Sequence, residues 1–207
     1  MNQFLNKFQE RITKYWDEIS EQEENQLIDD ILQYANSNPQ SFKSDLQKVR
    51  FDPELTPLPV VLEALSYDTA NWGQFYVDLL NDILETANQV DKPQTILNSL
   101  MEFSYIEEDD KPFVQKIVDR LYQALDSDNI HTKLVCIYTL PGYLGNKTIK
   151  NSKVITAALQ QKLNDDNWKV RVVAFRALGY ENLLPEGFRL SLKDRLLKLI
   201  LGEPRVY

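Results

Sequence analysis

The stretch DDNWKVRVVAFRALGY, residues 165–180, decides the fold. Val170, Val173, Ala174, Ala177 and Leu178 recur at spacings of three and four, which puts them on one face of a helix. Ala174 and Ala177 are small enough to let a neighbouring helix cross closely, while Val170, Val173 and Leu178 fill the layer between helices. Asp166 suits the helix start, where a side-chain oxygen takes up free amides. Gly179 suits the helix end, where a left-handed backbone is common.

The same pattern occurs upstream. LDSDNIHTKLVCIYTL, 125–140, aligns without a gap on LNDDNWKVRVVAFRAL, 163–178, at an offset of 38 residues. Leu125 meets Leu163, Asn129 meets Asn167, Ile130 meets Trp168, Lys133 meets Arg171 and Cys136 meets Ala174. VVLEALSY, 60–67, matches VAFRALGY, 173–180, at an offset of 113, close to three such periods. Between them QTILNSLMEF, 94–103, carries Ser99-Leu100 about one period before Thr139-Leu140. Helix pairs are read at 57–67 with 72–90, 93–105 with 111–126, 129–143 with 151–164, and 167–180 with 188–201. A self-similar array of this kind is an α-solenoid.

Residues 163–179 resemble the HEAT-repeat signature, in which a Leu is followed by Asp, Val-Arg, Ala and Ala-Leu-Gly. The matching positions are Leu163, Asp165, Val170, Arg171, Ala174, Ala177, Leu178 and Gly179. The resemblance implies an all-α, right-handed α-α superhelix of antiparallel helix pairs. It also implies that Asp165 and Arg171 form a ladder between adjacent repeats. The preceding copy departs from it, with Ser127 and Lys133 in those two places. The resemblance covers 125–180 well, 57–201 moderately and 1–55 not at all. The expected organisation is therefore an N-terminal helical cap, 1–55, followed by about four HEAT-like pairs over 56–207.

Helical periodicity also runs through the N-terminal part, and no strand pattern interrupts it. Phe4, Phe8, Ile12, Tyr15 and Ile19 fall near one face. Ser20 and Glu23 in SEQE form a capping box. The helix that follows runs to about Tyr34 and buries Leu27, Ile28, Ile31 and Leu32. Pro39 fits the first turn of a third helix, and DPELTPLP, 52–59, breaks the chain.

With 207 residues, 43% of them apolar, the chain can bury a sizeable core. Its one cysteine, Cys136, excludes an intrachain disulfide and a Cys-based zinc site. No apolar h-region or membrane-length run is found, so a cytoplasmic protein without membrane attachment is expected. The net charge of −8 is unevenly spread: residues 1–128 hold 10 basic and 25 acidic side chains, whereas 129–207 hold 13 and 6. Such a split favours weak head-to-tail self-association or steering of charged partners.

Catalytic chemistry finds little footing. His131, the only histidine, aligns with Lys169 and is expected on the surface with no group to orient it. Cys136 is expected between helices rather than in the accessible, electropositive setting of a reactive thiol. PGYLGNKT, 141–148, lacks the spacing and preceding strand of a phosphate loop and is expected to be a turn. EEDD, 107–110, lacks the alternating ligands of a calcium loop. Without a secretory signal, NKT at 146–148 carries no meaning as a glycosylation site. No metal, cofactor or catalytic residue is assigned.

Second helices line the concave surface of HEAT-like arrays. On that resemblance, Trp72, Phe75 and Tyr76 would form an aromatic partner site, and Lys153, Lys162, Arg189, Lys193, Arg195 and Lys198 would make the C-terminal groove positive. The function expected is a non-catalytic scaffold or adaptor binding a protein or peptide. The runner-up is a nucleic-acid-binding or repair-like protein using the basic groove, as HEAT-like DNA glycosylases do, although no catalytic carboxylate maps here.

Overall fold

The computed structural model describes residues 2–15, 19–52, 57–86, 111–144 and 149–204. Among them all regular structure is helical and no strand occurs. The expected helix at 93–105 and the acidic run at 107–110 lie outside the described residues. The chain forms two compact units, 1–78 and 79–207, with the division inside the fifth helix.

The first unit contains α1 (Gln3–Tyr15), α2 (Glu21–Ser37), α3 (Pro39–Val49), α4 (Leu58–Ser66) and the first half of α5 (Thr69–Thr86). α1, α2 and α3 pack on one another, and α4 packs on α2. The start of α2 follows from its sequence. Ser20 accepts from the Glu23 amide while the Glu23 carboxylate accepts from the Ser20 amide, and Pro39 opens α3. The apolar faces of α1 and α2 are buried, through Phe4, Phe8 and Ile12 and through Leu27, Ile28, Ile31 and Tyr34. Leu32 is only half-buried, and Ile19 lies beyond the end of α1.

The amides at the start of α1 find their acceptor far along the chain. Asp45 on α3 accepts from the Gln3 and Phe4 amides through Oδ2, at 2.8 and 3.3 Å, and from Lys48 Nζ through Oδ1 at 3.1 Å. Asn2 Nδ2 donates to the Asp45 carbonyl at 3.0 Å. Burial opposes the ionised carboxylate, but the bonds from Lys48, Phe4 and Gln3 outweigh it, so Asp45 ionises below the ordinary aspartate range. A depressed folded pKa contributes stability that is complete above that range and fades as pH falls through the folded value. Asp45→Ala is expected to lower stability near neutral pH by about 1.5–3 kcal/mol, the range for a hydrogen bond to a charged group. The difference from the parent chain should shrink as pH falls below the ordinary aspartate range in urea titrations.

The second unit contains the rest of α5, α6 (Lys111–Gln123), α7 (Ile130–Leu144), α8 (Ser152–Gln161), α9 (Trp168–Tyr180) and α10 (Leu192–Leu201). α7 lies at its centre and packs on α6, α8 and α9, and α10 packs on α9. The 38-residue repeat read from the sequence recurs as local structure. α6 and α8 each end in a 3-10 turn, at Ala124–Asp126 and Lys162–Asn164. In the first copy Ser127 Oγ accepts from the Asn129 amide; in the second Asp165 Oδ1 accepts from the Asn167 amide. Asn129 and Asn167 then cap α7 and α9, accepting from the amides of His131 and Lys169 at 2.9 Å each.

The helix start and end therefore differ from expectation. Asn167, not Asp166, caps α9, because Asn167 has the extended backbone a cap requires. Gly179 stays helical, and Asn182 supplies the left-handed residue at φ 56°. The Leu183 amide bonds the Leu178 carbonyl at 2.8 Å and the Asn182 amide bonds the Gly179 carbonyl at 3.3 Å, which is the paired closure of a Schellman motif. The first four residues of PGYLGNKT continue α7 instead of forming a turn, with buried Pro141 inside the helix. The other four lie outside the described residues.

Val170, Val173, Ala174, Ala177 and Leu178 are all buried, as their spacing requires, and so is Cys136 on the facing helix α7. Burial pushes the Cys136 thiol up to about 12, so it stays protonated and inert at neutral pH. One thiol per chain is expected to react with a disulfide reagent in denaturant and none under native conditions, which a colorimetric titration checks.

Candidate interaction surface

The aromatic cluster chosen from the sequence does not reach the surface. Trp72, Phe75 and Tyr76 are only 3%, 8% and 1% exposed. Trp72 and Phe75 stand edge-on to Phe42 of α3, with ring centroids 5.3 and 6.3 Å away. The Trp72 indole N–H donates to Asn36 Oδ1 of α2 at 2.7 Å. These side chains hold α5 to α2 and α3, so the partner-facing role expected of them is corrected to core packing.

The basic residues separate into two kinds. Lys162, whose side chain is 14% exposed, pairs with Asp126, joining the two 3-10 turns. Lys198 pairs with Glu203, to which Arg176 also donates at 3.2 Å. Lys153, Arg189, Lys193 and Arg195 are exposed. Arg189 precedes α10 rather than lying on it.

Arg171 makes a different bond from the one the resemblance implies. Its Nη1 donates to the main-chain carbonyls of Asp165 and Asp166, at 2.6 and 2.9 Å, and not to the Asp165 carboxylate. Its charge is met by Asp194 of α10. Nε donates to Oδ2 at 2.9 Å and Nη2 to Oδ1 at 2.5 Å, a two-pronged pair. Asp194 is 2% exposed, and its amide donates to the capping Ser191 Oγ at 3.1 Å. One side chain thus ties the turn before α9 to the first turn of α10.

That tie fixes the orientation of α10. Asp194 faces inward, and Leu197 and Lys198 beside it are half-buried. At 100° per residue, Leu192, Leu196, Leu199 and Ile200 fall within an arc of about 100° on the opposite side. They are 66%, 47%, 79% and 74% exposed. Most of the exposed large apolar side chains among the described residues belong to this helix. Lys193 borders the stripe on one side and Arg195 on the other. A helix normally turns its apolar stripe to the core; α10 turns a buried ion pair inward and Leu192, Leu196, Leu199 and Ile200 outward. Sequence reasoning singled out the cations of this helix and missed the leucines, whose spacing of four and three is also that of a core face.

Among the described residues, no helix is long and apolar enough to cross a membrane, and no group of three or more His, Cys, Asp or Glu side chains could hold a metal ion. His131 is exposed on the first turn of α7. Compared with protein-family models, with curated proteins and with solved structures, the chain matches none.

Proposed function

We propose that this chain is a non-catalytic scaffold of HEAT-like antiparallel helix pairs, and that it binds a protein partner. The observation that carries this reading is the outward Leu192–Leu196–Leu199–Ile200 stripe of α10. Burying a leucine completely is worth about 1.5–3 kcal/mol, so a row of four is a strong reason for another surface to cover it. The 38-residue recurrence of 3-10 turn, Asn cap and helix supports the repeat reading. Trp72, Phe75 and Tyr76 give it no support, being buried, and the contact surface moves from that cluster to α10. The nucleic-acid alternative rests on Lys153, Arg189, Lys193 and Arg195 alone, since Lys162 and Lys198 face Asp126 and Glu203.

The test is site-specific photo-crosslinking in the cells that make the protein. A benzophenone side chain at Leu196 is expected to trap a discrete protein adduct that the same group at exposed Gln9 does not. Equal adducts at both positions, or none at Leu196, would remove the reading.

A further inference from the structure

We infer that the partner of α10 is an amphipathic helix with acidic flanks, docked in coiled-coil register. This inference rests on the scaffold reading above and adds the chemistry of the partner. Leu192, Leu196 and Leu199 are spaced four then three, which places them at successive d, a and d positions of a heptad. Lys193 then takes the e position and Arg195 the g position, with Ile200 at the next e. These are the two positions that border a coiled-coil seam and select the partner by charge. Lys193 and Arg195 are exposed, and both are cationic. Asp194 at f, the only acid on the helix, is buried against Arg171 and takes no part in the seam.

The charges also give a second copy of α10 no complement. In a parallel pair, g of one helix meets e of the other; in an antiparallel pair, g meets g and e meets e. The e and g positions hold only Lys193, Arg195 and Ile200, so no such combination brings opposite charges together. Nor does the acidic first unit of another copy offer a matching seam among its described residues. The apolar face of acidic α2 is already covered, and Tyr67 is the exposed large apolar side chain of that unit. Among its described residues this chain supplies no complement to α10, and the partner helix carries leucine-like residues at a and d and Glu or Asp at e and g.

Two labelled heptad peptides test this, both with Leu at a and d, one with Glu and the other with Lys at every e and g. Each is titrated with the full chain by fluorescence anisotropy at low and high salt. The Glu peptide is expected to bind at least about tenfold more tightly than the Lys peptide, with the ratio shrinking as salt rises. Lys193→Glu/Arg195→Glu should reverse the preference. Leu196→Glu should abolish binding of both peptides while leaving the circular dichroism spectrum and the unfolding midpoint unchanged, because Leu196 is exposed.

Equal affinity for the two peptides, or no binding of either, overturns the inference. So does Leu196-dependent binding to phosphatidylserine–phosphatidylcholine vesicles in place of the Glu peptide, or a dimer in sedimentation that Leu196→Glu dissolves. If the peptides fail while crosslinking at Leu196 still traps a protein, the scaffold reading stands and the acidic-helix partner falls. If crosslinking fails as well, both fall.

Discussion

Arg171→Met is expected to destabilise the second unit by about 3–5 kcal/mol, the loss typical of removing one partner from a buried ion pair. The substitution keeps the aliphatic stem and removes the charge that Asp194 faces. Asp194, 2% exposed, would then be a carboxylate without its counter-ion, and the Asp165 and Asp166 carbonyls would lose their shared donor. Urea unfolding followed by circular dichroism reads the loss directly. Arg171→Met/Asp194→Leu should recover most of it, since two apolar side chains of fitting size tolerate the site far better than one orphaned charge. A double variant as unstable as the single one would show that the carbonyl bonds of Arg171, not its charge, hold the two helices. The pH dependence has a definite sign. In the parent chain the bond from Arg171 holds the Asp194 carboxyl below its ordinary range against the effect of burial, and Ser191 helps. The pair therefore stabilises fully above that range and loses its contribution as pH falls through the folded value. The gap between parent and Arg171→Met should narrow in acid.

Phe42→Ala should cost the first unit a similar amount, about 3–5 kcal/mol, as is usual for deleting a buried aromatic ring. Phe42 is fully buried, and its ring has Phe4, Tyr34, Trp72 and Phe75 around it at centroid distances of 5.7, 6.4, 5.3 and 6.3 Å. Four helices meet on this ring, so the cavity left behind cannot close by moving one of them. With Trp16 and Trp168 replaced by Phe, Trp72 fluorescence reports the same event. Its emission should shift to the red as water enters beside the indole, and Phe42→Leu should give a smaller shift and a smaller loss of stability. An unchanged urea midpoint for Phe42→Ala would mean that α3 does not anchor the cluster.

Most of the helices were legible because their signals are local. Ser20 and Glu23 lie three residues apart and bond each other, Pro39 presets the first turn of α3, and the Asn129 and Asn167 caps recur at the repeat spacing. The relations between helices were harder to read. Trp72, Phe75 and Tyr76 share a helix face, and that spacing is the same whether the face meets α3 or a partner; Phe42, thirty residues earlier, decides it. For Arg171, the resemblance drew attention to the Asp six residues before it. The carboxylate that it bonds is 23 residues after it, in a segment that reads as an exposed basic helix. The stripe on α10 was concealed by the converse ambiguity, since leucines at core spacing announce an apolar face without saying whether the fold covers it.

The bond from Asp45 to the start of α1 has a consequence for how the chain is made. Residues 3 and 4 leave the ribosome well before the side chain that caps them, which lies 41 positions downstream of Phe4. At synthesis rates of about 5–20 residues per second, α1 waits roughly 2–8 s for that carboxylate. During this interval the start of α1 has no cap, and its aromatic face, Phe4 and Phe8, lacks the cover that α3 gives and has at most Tyr34 of α2 against it. This stretch of the nascent chain is therefore where a holding chaperone would act, and binding should cease once α3 has emerged.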